Sequence, residues 1–128
     1  LYRAAGSPAV ENAENPFKDV NEGDYFYDAV LWAVENKITS GIADDEFGAY
    51  AVTNRAQAVT FLWRYKGQPT STATNNFSDV VAGEWYEAPI NWAVENKITF
   101  GMDDGTFGIG GNCNRAQAVT FLYRAIAE

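Results

Sequence analysis

The sequence holds no histidine in 128 residues, one cysteine, and nine lysines and arginines against seventeen aspartates and glutamates. Without histidine the chain loses the usual general base near neutral pH, the commonest zinc ligand and the partner of a serine or cysteine nucleophile. The lone Cys113 forbids an internal disulfide, so cysteine usage says nothing of redox compartment. A net charge of −8, with the basic residues scattered singly, excludes a phosphate-neutralising patch for nucleic acid and a polybasic membrane anchor. No apolar run approaches the ~20 residues that cross a bilayer, so no membrane insertion is expected. No charged-then-apolar leader precedes the first repeat, and the chain opens on Leu1 rather than Met, which reads as a piece of something longer.

What is present is apolar and aromatic. Residues of the first kind make up 47% and of the second 15%, enough for an ordered core. They recur with a period. Residues 15–66 lie over 75–126 without a gap, pairing Phe17 with Phe77, Trp32 with Trp92, Phe47 with Phe107 and Arg55 with Arg115. Three blocks repeat almost verbatim: Phe-x-Asp-Val (17–20, 77–80), Trp-Ala-Val-Glu-Asn-Lys-Ile-Thr (32–39, 92–99) and Asn-Arg-Ala-Gln-Ala-Val-Thr-Phe-Leu (54–62, 114–122). Such self-similarity marks a duplication. Leu1 to Pro8 also matches Leu62 to Pro69, so the first residues read as the tail of a preceding repeat. The expected organisation is a tail at 1–8, a linker at 9–14, a repeat at 15–67, a linker at 68–74 and a repeat at 75–128.

Each repeat carries two helix signals. Turn-rich leads precede short helices expected around 28–36 and 87–96, Pro89 suits a first turn, and Asn36 and Asn96 suit a left-handed helix end. The second helix of each repeat opens on a capping box, Asn54 with Gln57 and Asn114 with Gln117. Apolar residues at 58, 59, 62 and 63, echoed at 118, 119, 122, 123 and 126, give a broad stripe, and the off-stripe Ala56 and Phe61 predict cover on more than one side. Trp32, Trp92, Trp63 and Tyr123 are expected in the core. Helices this short need neighbours, so the fold class is all-α and built from tandem helix-loop-helix repeats.

Phe-x-Asp-Val, the aromatic pairs Tyr25-Phe26 and Trp85-Tyr86, Trp-Ala-Val-Glu, Gly-x-x-Asp-x-x-Phe and Asn-Arg-Ala-Gln together resemble the S-layer homology domain over essentially the whole chain. The resemblance implies a pseudo-threefold spindle of three repeats with a central three-helix bundle. It implies a secreted, non-catalytic module in the cell wall or S-layer of a Gram-positive bacterium. Its partner would be an anionic, often pyruvylated, secondary cell-wall polysaccharide held in grooves between repeats, with no metal or other cofactor. An incomplete first repeat would leave a surface for homo-oligomerisation, so self-assembly is the alternative function. The chain departs from the family in reading Asn-Arg-Ala-Gln for Thr-Arg-Ala-Glu and in placing Lys37 and Lys97 where glycine is usual.

Carried over by position, the family's anion contact falls on Arg55 and Arg115. A cation at the first turn of a helix opposes the local dipole unless an anion sits there to be met by the guanidinium and exposed backbone amides. The competing reading is a structural salt bridge to Asp19 or Asp79. Those two aspartates either accept sugar hydroxyls and orient the arginines or serve as turn carboxylates beside an anchoring phenylalanine. Trp85 and its counterpart Tyr25 offer faces for a sugar ring, and Gln57 and Gln117 complete the candidate set. The acidic loops (Asp44-Asp45-Glu46 and Asp103-Asp104) lack calcium-loop spacing. Cys113 precedes an N-cap, where a thiol pKa can fall, but its counterpart Thr53 suggests a small packing residue. Acids duplicated in identical settings make poor acid–base pairs, which argues against glycoside cleavage.

Overall fold

The computed structural model describes residues 1–10, 15–49, 52–71, 74–102 and 104–126, apart from the side chain of Arg115. Most of the 9–14 segment, part of the 68–74 segment and Asp103 therefore lie outside the described residues. Among the described residues there are four α-helices and no strand: α1 (Tyr27–Glu35), α2 (Arg55–Tyr65), α3 (Glu87–Glu95) and α4 (Arg115–Ile126). The chain is all-α. The helices form two compact units, Leu1–Ala51 and Val52–Glu128, and this boundary falls inside the first sequence repeat. Helix α2 consequently packs on α3 and α4, helices of the second repeat.

Within each repeat a carboxylate fixes the loop between the helices. In the first unit Asp19 accepts the backbone N–H groups of Phe47, Gly48 and Ala49 at 2.9, 2.8 and 3.0 Å. In the second, Asp79 accepts those of Phe107, Gly108 and Ile109 at 2.8, 2.9 and 3.0 Å. The anchored turn drives Phe47 onto Phe17 and Phe107 onto Phe77, with ring centroids 5.5 and 5.8 Å apart. A glycine is needed beneath each Phe-x-Asp-Val ring. At Gly101 (φ +81°) an added Cβ would collide with the Phe77 ring and the Thr106 carbonyl, and at Gly41 (φ +88°) with Phe17 and the Glu46 carbonyl.

The capping boxes form as expected. Gln57 N–H donates to Asn54 Oδ1 at 2.8 Å and Asn54 N–H to Gln57 Oε1 at 2.9 Å, and Asn114 with Gln117 repeats the exchange at 2.8 and 3.1 Å. The C-terminal ends of α1 and α3 differ from expectation. Asn36 and Asn96 keep negative φ (−90° and −92°) and turn their side-chain amides back onto the carbonyls of Trp32 and Trp92. The left-handed residues are Lys37 (φ 60°) and Lys97 (φ 59°), followed by Ile38 and Ile98, whose N–H groups reach back to Ala33 and Ala93. Asparagine caps the carbonyl, and lysine carries the strain.

The N-terminal residues adopt the conformation that ends α2. Gly6 N–H donates to the Arg3 carbonyl and Ser7 N–H to that of Tyr2, as Gly67 does to Arg64 and Gln68 to Trp63. Tyr2 Oη donates to the Pro8 carbonyl as Trp63 Nε1 does to that of Pro69. Tyr2 then meets Trp32 edge-on at 5.6 Å.

Trp32 and Trp92 are core residues. Tyr123 is not: it is 68% exposed, because the face of α4 that carries it has no neighbour comparable to the one α2 has. The same contrast runs along both helices. Ala56, Val59 and Thr60 of α2 are buried, while Ala116, Val119 and Thr120 of α4 are exposed.

Two predictions follow from the loop and the helix end. Three N–H donors hold Asp19 below its ordinary carboxylate value of 3.8, with Ala49 and Phe47 contributing most. At Asp79 burial pushes upward, and the donors Ile109, Phe107 and Gly108 outweigh it. Carboxylates depressed in the folded state contribute stability that is whole above pH 3.8 and drains away as pH falls through the folded-state values. Urea unfolding between pH 6 and 2 should show that loss. Asp79→Asn should cost about 1–2 kcal/mol at neutral pH, the low end for charged hydrogen bonds because this carboxylate is only half-buried, and should shrink the acid dependence. Lys97→Gly should stabilise by about 0.5–1 kcal/mol, a few degrees of Tm by thermal melting; an unchanged or lower Tm would mean the left-handed turn costs nothing.

Candidate ligand-binding site

Arg55 opens α2, but its surroundings come from the second repeat. The segment after the Asp79-anchored turn pairs with the start of the helix: Arg55 N–H donates to the Gly111 carbonyl at 3.0 Å and Cys113 N–H to that of Thr53 at 2.7 Å. The side chain then runs past Gly108, where a Cβ would lie 3.2 Å from Arg55 Cδ. Nε donates to the Phe107 carbonyl at 2.8 Å. The guanidinium carbon sits 4.9 Å from the Phe107 ring centroid and 5.1 Å from that of Phe121, so the charge is flanked by two aromatic rings.

The residue is only 5% exposed. Burial lowers its affinity for its proton, against the opposing pull of Cys113 and Asp79. Among the described residues its terminal nitrogens have no hydrogen bond or ion pair, the Nε bond being the one polar contact of the side chain. Among the described residues no fully buried side-chain nitrogen or oxygen lacks a partner, so those terminal nitrogens keep some exposure. A cleft of about 330 Å³ is lined by Arg55 of α2, by Thr99, Phe100 and Gly101 after α3, and by Ala116, Gln117, Thr120, Phe121 and Arg124 of α4. None of the described lining residues is a carboxylate, in a chain of net charge −8. Taking a cation out of water without a partner is costly, and an anion entering the cleft would offset that cost.

Asp79 forms no salt bridge with Arg55: its two oxygens accept the three N–H groups of the 107–109 turn, and its charge acts on the guanidinium only at a distance. It acts one step back, fixing the Phe107 carbonyl and ring that position the guanidinium. The helix amides expected to face an anion are also engaged: those of Arg55 and Gln57 are bonded to Gly111 and Asn54. The guanidinium, not the helix N-terminus, faces the cleft.

Of the other candidates, Gln117 lines the cleft, its Oε1 accepting the Asn114 N–H. Gln57 serves its capping box and is not part of the lining. Trp85, 53% exposed and edge-on to Tyr86, is not among the lining residues. Asp19 and Tyr25 belong to the other unit, where Tyr25 stands exposed beside Phe26. The Arg115 side chain lies outside the described residues.

Sequence reasoning passed over Phe100, Arg124, Thr120 and Phe121. One signal was available for Phe100: it replaces Ser40 after eight identical residues and before a shared glycine. Cys113 is half-buried, and burial pushes its thiol up while Arg55 pulls it down, so it is a packing residue rather than an activated thiol. Among the described residues no group of three or more His, Cys, Asp or Glu is placed to hold a metal ion, and no helix is long and apolar enough to cross a membrane.

A helical chain built from two copies of one unit, with a buried arginine beneath an open groove, defines a tandem-repeat module. The S-layer homology domain model matches residues 16–59 and 76–119, and the chain belongs to that family of cell-surface repeat proteins. Among its relatives, a cell surface protein of Thermoanaerobacter kivui is 30% identical over 119 residues, 89% of this chain and 16% of the relative. A middle cell wall protein of Brevibacillus brevis is 28% identical over 93 residues, 70% of this chain and 9% of its own length. An S-layer protein of Bacillus anthracis is 34% identical over 58 residues, 45% of this chain and 7% of its own length. The chain thus spans a sixth or less of the relatives it matches.

If Arg55 is held ready for a ligand, its charge does little for the fold. Arg55→Met, which keeps the volume between Phe107 and Phe121, should leave unfolding stability within about 1 kcal/mol of wild type or raise it. Arg55→Ala should cost about 2 kcal/mol through the lost packing. A Met variant as damaged as the Ala variant would show the charge itself to be structural.

Proposed function

We propose that the chain is a non-catalytic anchoring module that holds a cell-surface protein on an anionic secondary polysaccharide of the cell wall. The observation that carries this reading is Arg55, a buried residue held by one bond from Nε to the Phe107 carbonyl, whose side chain lines a cleft with no carboxylate among its described lining residues. A planar fork of donors at the base of a groove suits a carboxylate, which it can take with two parallel bonds. A ketal-linked pyruvate or a uronic acid would supply one. The names of the relatives, surface-layer and wall proteins, fit the same role. Arg115, repeating Arg55, would serve a second groove in the same way.

The direct test is co-sedimentation with purified Gram-positive cell walls before and after chemical stripping of the secondary polysaccharide. Binding should occur with intact walls, fall away after stripping, and drop at least tenfold for Arg55→Met, the scale of a lost charged contact. Retained binding by Arg55→Met would sink the assignment of the arginine, and retained binding to stripped walls would sink the polysaccharide.

A second reading, association between copies, is favoured by α4. The face bearing Ala116, Val119, Thr120 and Tyr123 is exposed, although the matching face of α2 is covered by its neighbours. An apolar helix face of this kind is suited to packing on another helix. Light scattering across a concentration series without glycan decides it: rising mass supports association, and a constant monomer mass removes it.

A further inference from the structure

The cleft has a second charged feature that the arginine of the repeated block does not account for. Arg124, near the end of α4, donates from Nη1 to the Ile98 carbonyl at 3.1 Å and lies over the ring of Phe100, guanidinium carbon to centroid 5.3 Å. Both residues line the same cleft as Arg55. Phe100 is 69% exposed, so the face not covered by Arg124 is open and available for stacking. Its position is held firmly. Thr99, just before it, is buried, and Gly101 N–H donates to Thr99 Oγ1 at 3.2 Å. The first repeat has Ser40 at the equivalent position, so this platform belongs to the second repeat alone.

Building on the reading of Arg55 as an anion contact, we propose that Phe100 and Arg124 form a second subsite of the cleft, Phe100 stacking a pyranose ring and Arg124 facing a second anionic or hydroxyl-rich sugar. The cleft then selects a segment of acidic polysaccharide rather than an isolated carboxylate. One sugar presents its acid to Arg55, and a neighbouring ring lays its C–H face on Phe100. Arg124 contributes twice, by pinning the ring from behind and by adding positive charge where the chain's net charge of −8 would otherwise repel an acidic polymer. The division of labour is chemical: Phe100 binds without charge and Arg124 with it.

The test is calorimetric titration of the intact chain with secondary polysaccharide released from purified Gram-positive walls, at several salt concentrations, with melting curves for every variant. Both residues are exposed, so their substitution should leave Tm near wild type. Phe100→Ser, which copies the first repeat, should weaken binding roughly tenfold with an unchanged salt slope, and Phe100→Tyr should restore it. Arg124→Gln should weaken binding and flatten the salt slope. Wild-type affinity in both Phe100→Ser and Arg124→Gln, while Arg55→Met loses binding, overturns the second subsite and leaves the Arg55 reading standing. Wild-type affinity in Arg55→Met, or no binding by wild type, removes that reading and this one with it. Equal losses for Phe100→Ser and Phe100→Tyr would also overturn the stacking role.

Discussion

Three backbone N–H groups pointing at one carboxylate organise each repeat of this chain. Asp19 closes the turn at 47–49 and Asp79 the turn at 107–109, and without those bonds a glycine-containing loop would have little reason to hold one conformation. In the second unit the consequences extend outward. The turn presents the Phe107 carbonyl to Arg55 Nε and the Phe107 ring to its guanidinium, and the segment beyond it binds the first amide of α2. Asp79 therefore reaches the cleft through one intermediary. Its carboxylate is spent on the backbone, and among the described residues the arginine forms no salt bridge.

The duplication supplies a comparison within the molecule. Helices α2 and α4 begin with the same eight residues, Arg-Ala-Gln-Ala-Val-Thr-Phe-Leu, and differ in what surrounds them. Ala56, Val59 and Thr60 are buried against neighbours, whereas Ala116, Val119 and Thr120 face outward. Composition and periodicity are identical in the two, so the difference is entirely tertiary. That is why a core position for Tyr123 was a reasonable expectation from the stripe and an incorrect one: its counterpart Trp63 finds the Pro69 carbonyl, and Tyr123 sits exposed on a face without such cover.

Local chemistry was legible from the residues. The four helices, the two capping boxes and the buried tryptophans follow from short-range pattern, and the helix bounds at 27–35 and 87–95 fall within a residue of expectation. The reversal between Asn36 and Lys37 is subtler. Either residue can end a helix, and the side-chain amide of asparagine is worth more on the Trp32 carbonyl than its tolerance of positive φ. Of the residues lining the cleft, the sequence pointed to Gln117 and to Arg55, the latter through its position in the repeat and its opposition to the helix dipole. The contacts of Arg55 join residues 52 apart, across the boundary of the repeats, and no local pattern reports them. Phe100 and Arg124 were hidden for a similar reason, since the helix end and the loop that bring them together are 26 residues apart at the Arg124–Ile98 bond.

The account stands on the terminal nitrogens of Arg55 being the groups that meet the wall polysaccharide. Arginine-selective ¹⁵N NMR, with the Arg55 guanidinium assigned by substitution, observes them directly as released wall polysaccharide is titrated in. The account predicts that the Nη signals of Arg55 shift and sharpen as their rotation slows, while Nε, already bonded to the Phe107 carbonyl, moves little. A saturable titration that perturbs resonances elsewhere in the chain and leaves the Arg55 Nη signals where they began would contradict it.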